Sequence, residues 1–166
     1  MTVFVRLLKA NEQYARGFKH SGLPVPPALR LTIVTCMDAR LDPVSFLGLS
    51  LGDAHVIRNA GGRATNDVIR SIVISQRLLG TSEVVVIHHT GCGLATVTNT
   101  DITRKVKDDL GVDATELDWL PFNDLEQSVL DDVEALRESD LIPADVPISG
   151  AIYEVETGSV RVVIVR

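Results

Sequence analysis

The sequence lacks both an excess of basic residues and any long apolar run. Its 166 residues include 16 Lys and Arg against 22 Asp and Glu, a net charge of −6, whereas proteins that bind nucleic acid usually carry a basic patch. No stretch approaches the roughly 18 consecutive apolar residues of a membrane-spanning helix. We therefore expect neither nucleic acid nor a membrane as a partner. The length suits one domain, residues 1–166.

Cysteine is also scarce, since Cys36 and Cys92 are the only two in the chain. The N-terminal segment reaches charge at Arg6 and Lys9, too early for the apolar core of a secretory signal. We therefore expect a cytoplasmic protein, in which a disulfide between the two cysteines is disfavoured. Two buried thiols without a chemical role are the plain alternative to a functional site.

The order of the apolar segments indicates an α/β fold. Residues 31–36 and 83–89 are β-branched runs without helical periodicity, which is typical of buried strands, and 83–89 resembles a central parallel strand. Residues 54–58 form a weaker strand. The segments 148–156 and 160–165 predict a β-hairpin around Thr157-Gly158-Ser159.

Four helices are expected between and before these strands, at residues 3–18, after the possible caps Thr65, Asn66 and Asp67 as far as Gly80, at 101–111 and at 122–140. In the last one, an apolar stripe should lie opposite the Asp and Glu residues; it is formed by Leu125, Val129, Val133 and Leu136. The expected architecture is a mainly parallel central sheet flanked by helices. A C-terminal hairpin and an N-terminal helical arm of residues 1–27, with prolines at 24, 26 and 27, complete it.

Two short segments carry residues that can bind a metal. One is Cys36-Met37-Asp38-Ala39-Arg40, at the end of the first strand, and the other is His88-His89-Thr90-Gly91-Cys92-Gly93, at the end of the third. Because ligands bind at the carboxyl ends of parallel strands, Cys36, His89 and Cys92 should meet at one edge of the sheet. Two thiolates and one imidazole favour zinc and leave one coordination position open.

The segments CMDAR, RNAGG (58–62) and HHTGCG together resemble the beta-class carbonic anhydrase family, in its short subgroup, over residues 31–95. The resemblance implies that Cys36, His89 and Cys92 bind zinc and that Asp38 and Arg40 are the catalytic pair. It also implies that Asn59, Ala60 and Gly61 border the substrate pocket.

The same resemblance implies reversible hydration of carbon dioxide to bicarbonate, a small-molecule substrate, and assembly as a homodimer or a dimer of dimers, that is, a homotetramer. Two thiolates cancel the charge of the ion, so a bound water should be acidified less than at a three-histidine site. We therefore expect activity to rise on the alkaline side of neutrality.

Three alternatives stay open. A hydrolase of carbonyl sulfide or carbon disulfide could use the same scaffold. A non-catalytic module that binds zinc or bicarbonate would hold metal without turnover, and Asp38 and Arg40 would then be a structural ion pair. A nucleotide-binding domain is disfavoured because no G-x-G-x-x-G or P-loop pattern follows the first strand. His88 is expected in the core, without an assigned role.

Overall fold

A computed structural model describes residues 2–165. Five strands form one sheet, and five α-helices surround or precede it. In chain order the elements are α1 (Val3–Arg16), β1 (Leu31–Cys36), α2 (Pro43–Phe46), β2 (Ala54–Asn59), α3 (Asn66–Leu79), β3 (Glu83–His89), α4 (Asn99–Leu110), α5 (Leu125–Arg137), β4 (Ile148–Tyr153) and β5 (Val160–Ile164).

The strands lie in the order β2-β1-β3-β4-β5. The pairs β1–β2, β1–β3 and β3–β4 are parallel, and β4–β5 is antiparallel. The predicted fold class is therefore confirmed: the sheet is mostly parallel, β3 is its central strand, and a hairpin ends it. The short helix α2 was not predicted; the side chain of Asp42 caps it by accepting a hydrogen bond from the Ser45 backbone N–H.

One face of the sheet packs against α3 and α5. Its buried side chains come from the strands and from both helices, and include Val34, Val86, Ile152, Ile72 and Val133. Close approach of α5 requires Gly150 in β4, because a Cβ there would overlap the side chain of Val129. A smaller cluster around Ile33 and Ile87 packs against residues 46–49 on the other face.

The predicted helices form with small shifts at their ends. Both ends of α3 lie where they were predicted. The helix begins after Thr65, whose side chain accepts a hydrogen bond from the Val68 N–H, and it ends before Gly80, which has the left-handed conformation. Helix α1 differs from the others because every one of its residues is exposed. Among residues 2–165, no helix combines the length and the apolar character needed to cross a membrane.

Candidate metal centre

The carboxyl ends of the parallel strands bring the predicted metal ligands together. Cys36 is the last residue of β1 and His89 the last of β3, so adjacent strands deliver both to one edge of the sheet. Gly91 has φ +66°, a conformation that glycine adopts without strain, and the chain turns there before Cys92. One ligand atom from each of Cys36, His89 and Cys92 lies within 4.8 Å of the other two.

The imidazole of His89 has one nitrogen engaged and one free. Its Nδ1 donates a hydrogen bond to the Thr90 carbonyl oxygen at 3.0 Å, which fixes the ring orientation. The side chain is fully buried, and Nε2 has no hydrogen-bond partner. Since buried polar atoms are nearly always paired, an unpaired ring nitrogen beside two sulfurs fits a metal ligand.

The two sulfurs influence each other. The hydrogen bond from Cys92 lowers the pKa of Cys36; burial opposes this, while His89 and the backbone N–H groups of Asp38 and Gly61 support it. The same contact, with burial, raises the pKa of Cys92. The pair therefore favours one thiolate and one thiol, and a metal ion that binds both sulfurs must displace the remaining proton.

Asp38 and Arg40 form a bidentate ion pair at the mouth of the site. Arg40 donates from Nε to Asp38 Oδ1 at 3.0 Å and from Nη2 to Oδ2 at 2.7 Å, and its backbone N–H also donates to Oδ1. Arg40 Nη2 further contacts the carbonyl of Gly91. These hydrogen bonds lower the pKa of Asp38 well below its usual range. Asp38 Oδ2 lies 3.9 Å from His89 Nε2, so the carboxylate faces the ligand cluster.

A second arginine fixes the backbone that carries these groups. Arg58 donates from Nε to the Cys36 carbonyl at 3.0 Å and from Nη2 to the Asp38 carbonyl at 2.6 Å. In the sequence, Arg58 stands out only as the first residue of the RNAGG motif. Because its target is backbone carbonyl oxygens, no pattern of side chains could reveal this contact.

A cavity of about 230 Å³ opens on the cluster. Its lining is mostly apolar and includes both cysteines; the remaining lining residues are Met37, Asp38, Ala60, Gly61, Gly93 and Leu94. Larger surface depressions occur elsewhere, but the one of about 470 Å³ beside α4 contains no cysteine or histidine. The chemistry of the lining, rather than size, identifies the smaller cavity as the candidate site.

The predicted pocket residues differ in what they do. Ala60 and Gly61 line the cavity, and their contact with a substrate stays a prediction. Asn59 is not among its lining residues; its Nδ2 donates to the Arg63 carbonyl at 2.8 Å and closes the turn at residues 59–62. Because the Asn59 side chain hydrogen-bonds within the turn, the smaller residues Ala60 and Gly61 form the cavity wall.

One expectation about α5 is wrong. Its acidic residues were expected opposite the apolar stripe, yet Asp132 is 4% exposed and lies among the stripe residues. Its Oδ2 contacts both Arg63 and His88. The spacing indicates this burial, because position 132 is three residues after Val129 and four before Leu136 and therefore lies on the same face of the helix.

Comparisons with known proteins agree with this geometry. The sequence profile of a family described as Carbonic anhydrase matches residues 31–160. The chain is 42% identical to Beta-carbonic anhydrase 1 of Mycobacterium tuberculosis over 163 residues, 97% of this chain and 98% of that protein. It is 38% identical to a carbon disulfide hydrolase of Acidithiobacillus thiooxidans, covering 90% and 85% of the two chains. A crystal structure of carbonic anhydrase from Streptococcus mutans matches with a TM-score of 0.96 and 55% identity over 99% of both chains.

Proposed function

This chain belongs to the beta-carbonic anhydrase family, whose members are zinc lyases, and we propose that it catalyses the reversible hydration of carbon dioxide to bicarbonate and a proton. The observation that carries the proposal is the cluster of two sulfurs and the unpaired Nε2 of His89 within 4.8 Å. In this proposal Cys36, His89 and Cys92 hold the zinc ion. Zinc supplies Lewis-acid activation of water at neutral pH when it is bound.

Asp38 is proposed to orient the attacking water. Its carboxylate accepts from Arg40 on both oxygens and stays ionised, so it can accept a further hydrogen bond but cannot donate one. Oδ2 is the oxygen nearer His89 and would accept the proton of the attacking water in a hydrogen bond. Arg40 is a positioning residue, because it acts on the reaction through Asp38.

The apolar cavity wall is proposed to receive the substrate. Carbon dioxide carries no net charge, and the small residues Ala60 and Gly61, with Leu94, provide a surface that does not compete for hydrogen bonds.

Carbon disulfide is the alternative substrate. Carbonyl sulfide, which is also a linear molecule, is a third candidate. The observation in favour of this alternative is the relative named a carbon disulfide hydrolase at 38% identity. Parallel turnover assays with the three substrates decide between them. We expect carbon dioxide to be the substrate with the highest kcat/KM; a higher value for either sulfur compound would contradict that assignment.

Metal analysis tests the centre itself. The purified protein should contain about one zinc ion per chain, and activity should rise on the alkaline side of neutrality. Zinc at this stoichiometry with no turnover of any of the three substrates would instead support the non-catalytic module. The Asp38–Arg40 pair, whose carboxylate faces the cluster, supports the enzyme.

We propose that the chain assembles as a homodimer or as a dimer of dimers. Helix α1 supports this, because its large apolar side chains are exposed in the single chain, among them Val3, Phe4, Leu7, Leu8 and Tyr14. Exposed apolar surface of this kind is typical of an interface, and the proline-containing segment at 24–27 suits an arm that reaches a second copy. Sedimentation at micromolar concentration tests the proposal, which a folded monomer would contradict.

A cytoplasmic location is also proposed. Cys36 and Cys92 are both free thiols in the structure, which suits a reducing compartment. Cell fractionation with an antibody against the protein checks it.

A further inference from the structure

A buried charged cluster lies next to the metal centre but takes no part in the proposed reaction. It consists of Arg63, which follows the turn at residues 59–62, Asp132 on α5 and His88 on β3. Their side chains are 10%, 6% and 0% exposed. Arg63 Nε lies 2.7 Å from Asp132 Oδ2, and His88 Nε2 lies 2.9 Å from the same oxygen.

Asp132 joins three segments of the chain. Its Oδ1 accepts a hydrogen bond from the Ala64 backbone N–H at 3.0 Å. The contacts of Oδ2 with Arg63 and His88 are short but poorly aligned for hydrogen bonding, and the one with Arg63 joins two opposite charges. One carboxylate thus ties the segment after the turn and the end of β3 to helix α5.

Arg63 and His88 are each held by further contacts besides those with Asp132. Arg63 donates from Nη1 to the Leu120 carbonyl at 3.0 Å, and its guanidinium lies 5.6 Å from the ring centre of Phe122. His88 Nδ1 contacts Ser128 Oγ at 2.8 Å. The cluster therefore holds its members in one geometry.

Stability alone does not explain a buried ion pair at this position. Replacing such a pair by apolar side chains is often neutral or stabilising, because both charges lose their hydration on burial. Helix α5 already packs on the sheet through Val129, Val133 and Leu136. What a charged cluster adds is a fixed direction and distance between the segments that it joins.

Two of those segments contact or adjoin proposed metal ligands. The Arg63 carbonyl accepts from Asn59, which closes the turn whose Gly61 N–H contacts the sulfur of Cys36. At Gly62 a Cβ would lie 3.0 Å from the Cys36 nitrogen, so this turn rests directly on the end of β1. His88 immediately precedes the ligand His89 in β3.

We propose that Asp132 is a positioning residue for the metal centre. Through Arg63 it holds the turn at residues 59–62 against Cys36, and through His88 it fixes the end of β3, so that the sulfur and the ring nitrogen keep their separation before a metal ion arrives. This inference rests on the proposed zinc centre. It predicts that loss of the Asp132 charge loosens metal binding without removing a ligand.

The test compares two neighbouring aspartates on α5. Asp132→Asn removes the buried charge, whereas Asp131→Asn is the matched control, since Asp131 is exposed and accepts a hydrogen bond from the Gln127 side chain on its own helix. Transfer of zinc to a chromogenic chelator gives the release rate. We expect release about 10-fold faster or more from Asp132→Asn and unchanged from Asp131→Asn. Cobalt-substituted protein should show shifted visible bands in the first variant alone.

A double variant separates positioning from stability. Arg63→Met with Asp132→Leu replaces the ion pair by apolar side chains, and we expect it to unfold at a urea concentration close to that of the wild type while zinc release stays fast. Wild-type release from the double variant or from Asp132→Asn would overturn the proposal. If Asp132→Asn does not fold, Arg63→Gln takes its place with the same two outcomes.

Failure of the inference can be told from failure of the zinc centre. A wild-type protein that binds no zinc or cobalt contradicts the proposed function. Wild-type protein that binds zinc, with equal release rates in the Asp131 and Asp132 variants, contradicts only the positioning role.

Discussion

The two ends of the central sheet each carry a polar cluster, and the clusters differ in how they are satisfied. At the amino ends of the strands, hydroxyls and an imidazole contact one another at 2.7–2.8 Å: Thr32 with Ser75, Ser75 with Thr81, and His55 Nδ1 with Ser75. At the carboxyl ends, His89 Nε2 is buried between two sulfurs and has no partner. Similar residue types therefore serve structure at one end and leave a ring nitrogen without a hydrogen-bond partner at the other.

The difference shows which buried polar groups indicate function. In a closed network, each buried hydroxyl replaces its hydrogen bonds to water with hydrogen bonds inside the protein. An unpaired ring nitrogen does not, unless a ligand completes its environment. The contrast predicts that substitutions at the carboxyl end change metal binding and turnover, while those at the amino end change stability alone.

The largest effect is expected from removing a sulfur at the carboxyl end. Cys92→Ala should lose bound zinc and lower the rate of carbon dioxide hydration by about 1,000-fold or more, because the activation of water is lost with the ion. Metal analysis and stopped-flow hydration assays measure the two losses. Retention of one zinc ion per chain with normal turnover would remove Cys92 from the site.

A smaller effect is expected at the carboxylate beside the metal ligands. Asp38→Ala should keep near-normal zinc content and lower turnover by about 100-fold. The matched control is Asp67→Ala, since Asp67 pairs with Arg70 at 2.8 Å on the surface of α3 and should leave turnover unchanged. Equal turnover in both variants would show that Asp38 has no part in the reaction.

The pH dependence of the Asp38 variant sharpens this test. Arg40 lowers the pKa of Asp38 below its ordinary value of 3.8, so the carboxylate is ionised throughout the neutral range. The pair stabilises the fold above that ordinary value, and this contribution is lost only as the pH falls through the lowered pKa. Between about pH 6 and 9 the ratio of wild-type to Asp38→Ala turnover should therefore stay constant; a ratio that varies with pH would contradict the assignment.

The turn at residues 59–62 should respond to a single methyl group. Gly62 has φ +73°, and a Cβ there would lie 3.0 Å from the backbone of Thr35 and Cys36. Gly62→Ala should lower the free energy of unfolding by about 2–4 kcal/mol and reduce zinc content. Gly111→Ala is the control, because Gly111 has φ +69° but open space around it, so only conformational strain of about 1 kcal/mol is expected. Equal losses in urea unfolding would show that the turn does not rest tightly on β1.

The smallest effect on function is expected at the amino end. Ser75→Ala removes the hydroxyl that contacts Thr32, His55 and Thr81 and should lower the free energy of unfolding by about 1–3 kcal/mol. Zinc content and turnover should match the wild type. A loss of turnover beyond that explained by unfolded protein would break the distinction between the two ends.

Much of the fold could be predicted because its signals are local. The apolar run of β3 and the Thr65 and Gly80 boundaries of α3 depend on neighbouring residues, so the sequence carries them directly. The meeting of Cys36 and His89 followed from strand order, since residues at the carboxyl ends of adjacent parallel strands lie at the same edge of the sheet. Asp132 was wrongly predicted to face solvent, because acidic residues are usually solvated. Its burial depends on Arg63, which lies 69 positions earlier in the chain.

The amino-acid sequence by itself determined the strands, the helices and the three side chains able to bind zinc, because periodicity and side-chain chemistry can be recognised within short segments of the chain. Only the tertiary structure decided which nitrogen of His89 is free, that Asn59 closes its own turn, and that Asp132 is buried with Arg63 and His88. These outcomes depend on distances between residues far apart in the chain, and packing sets those distances.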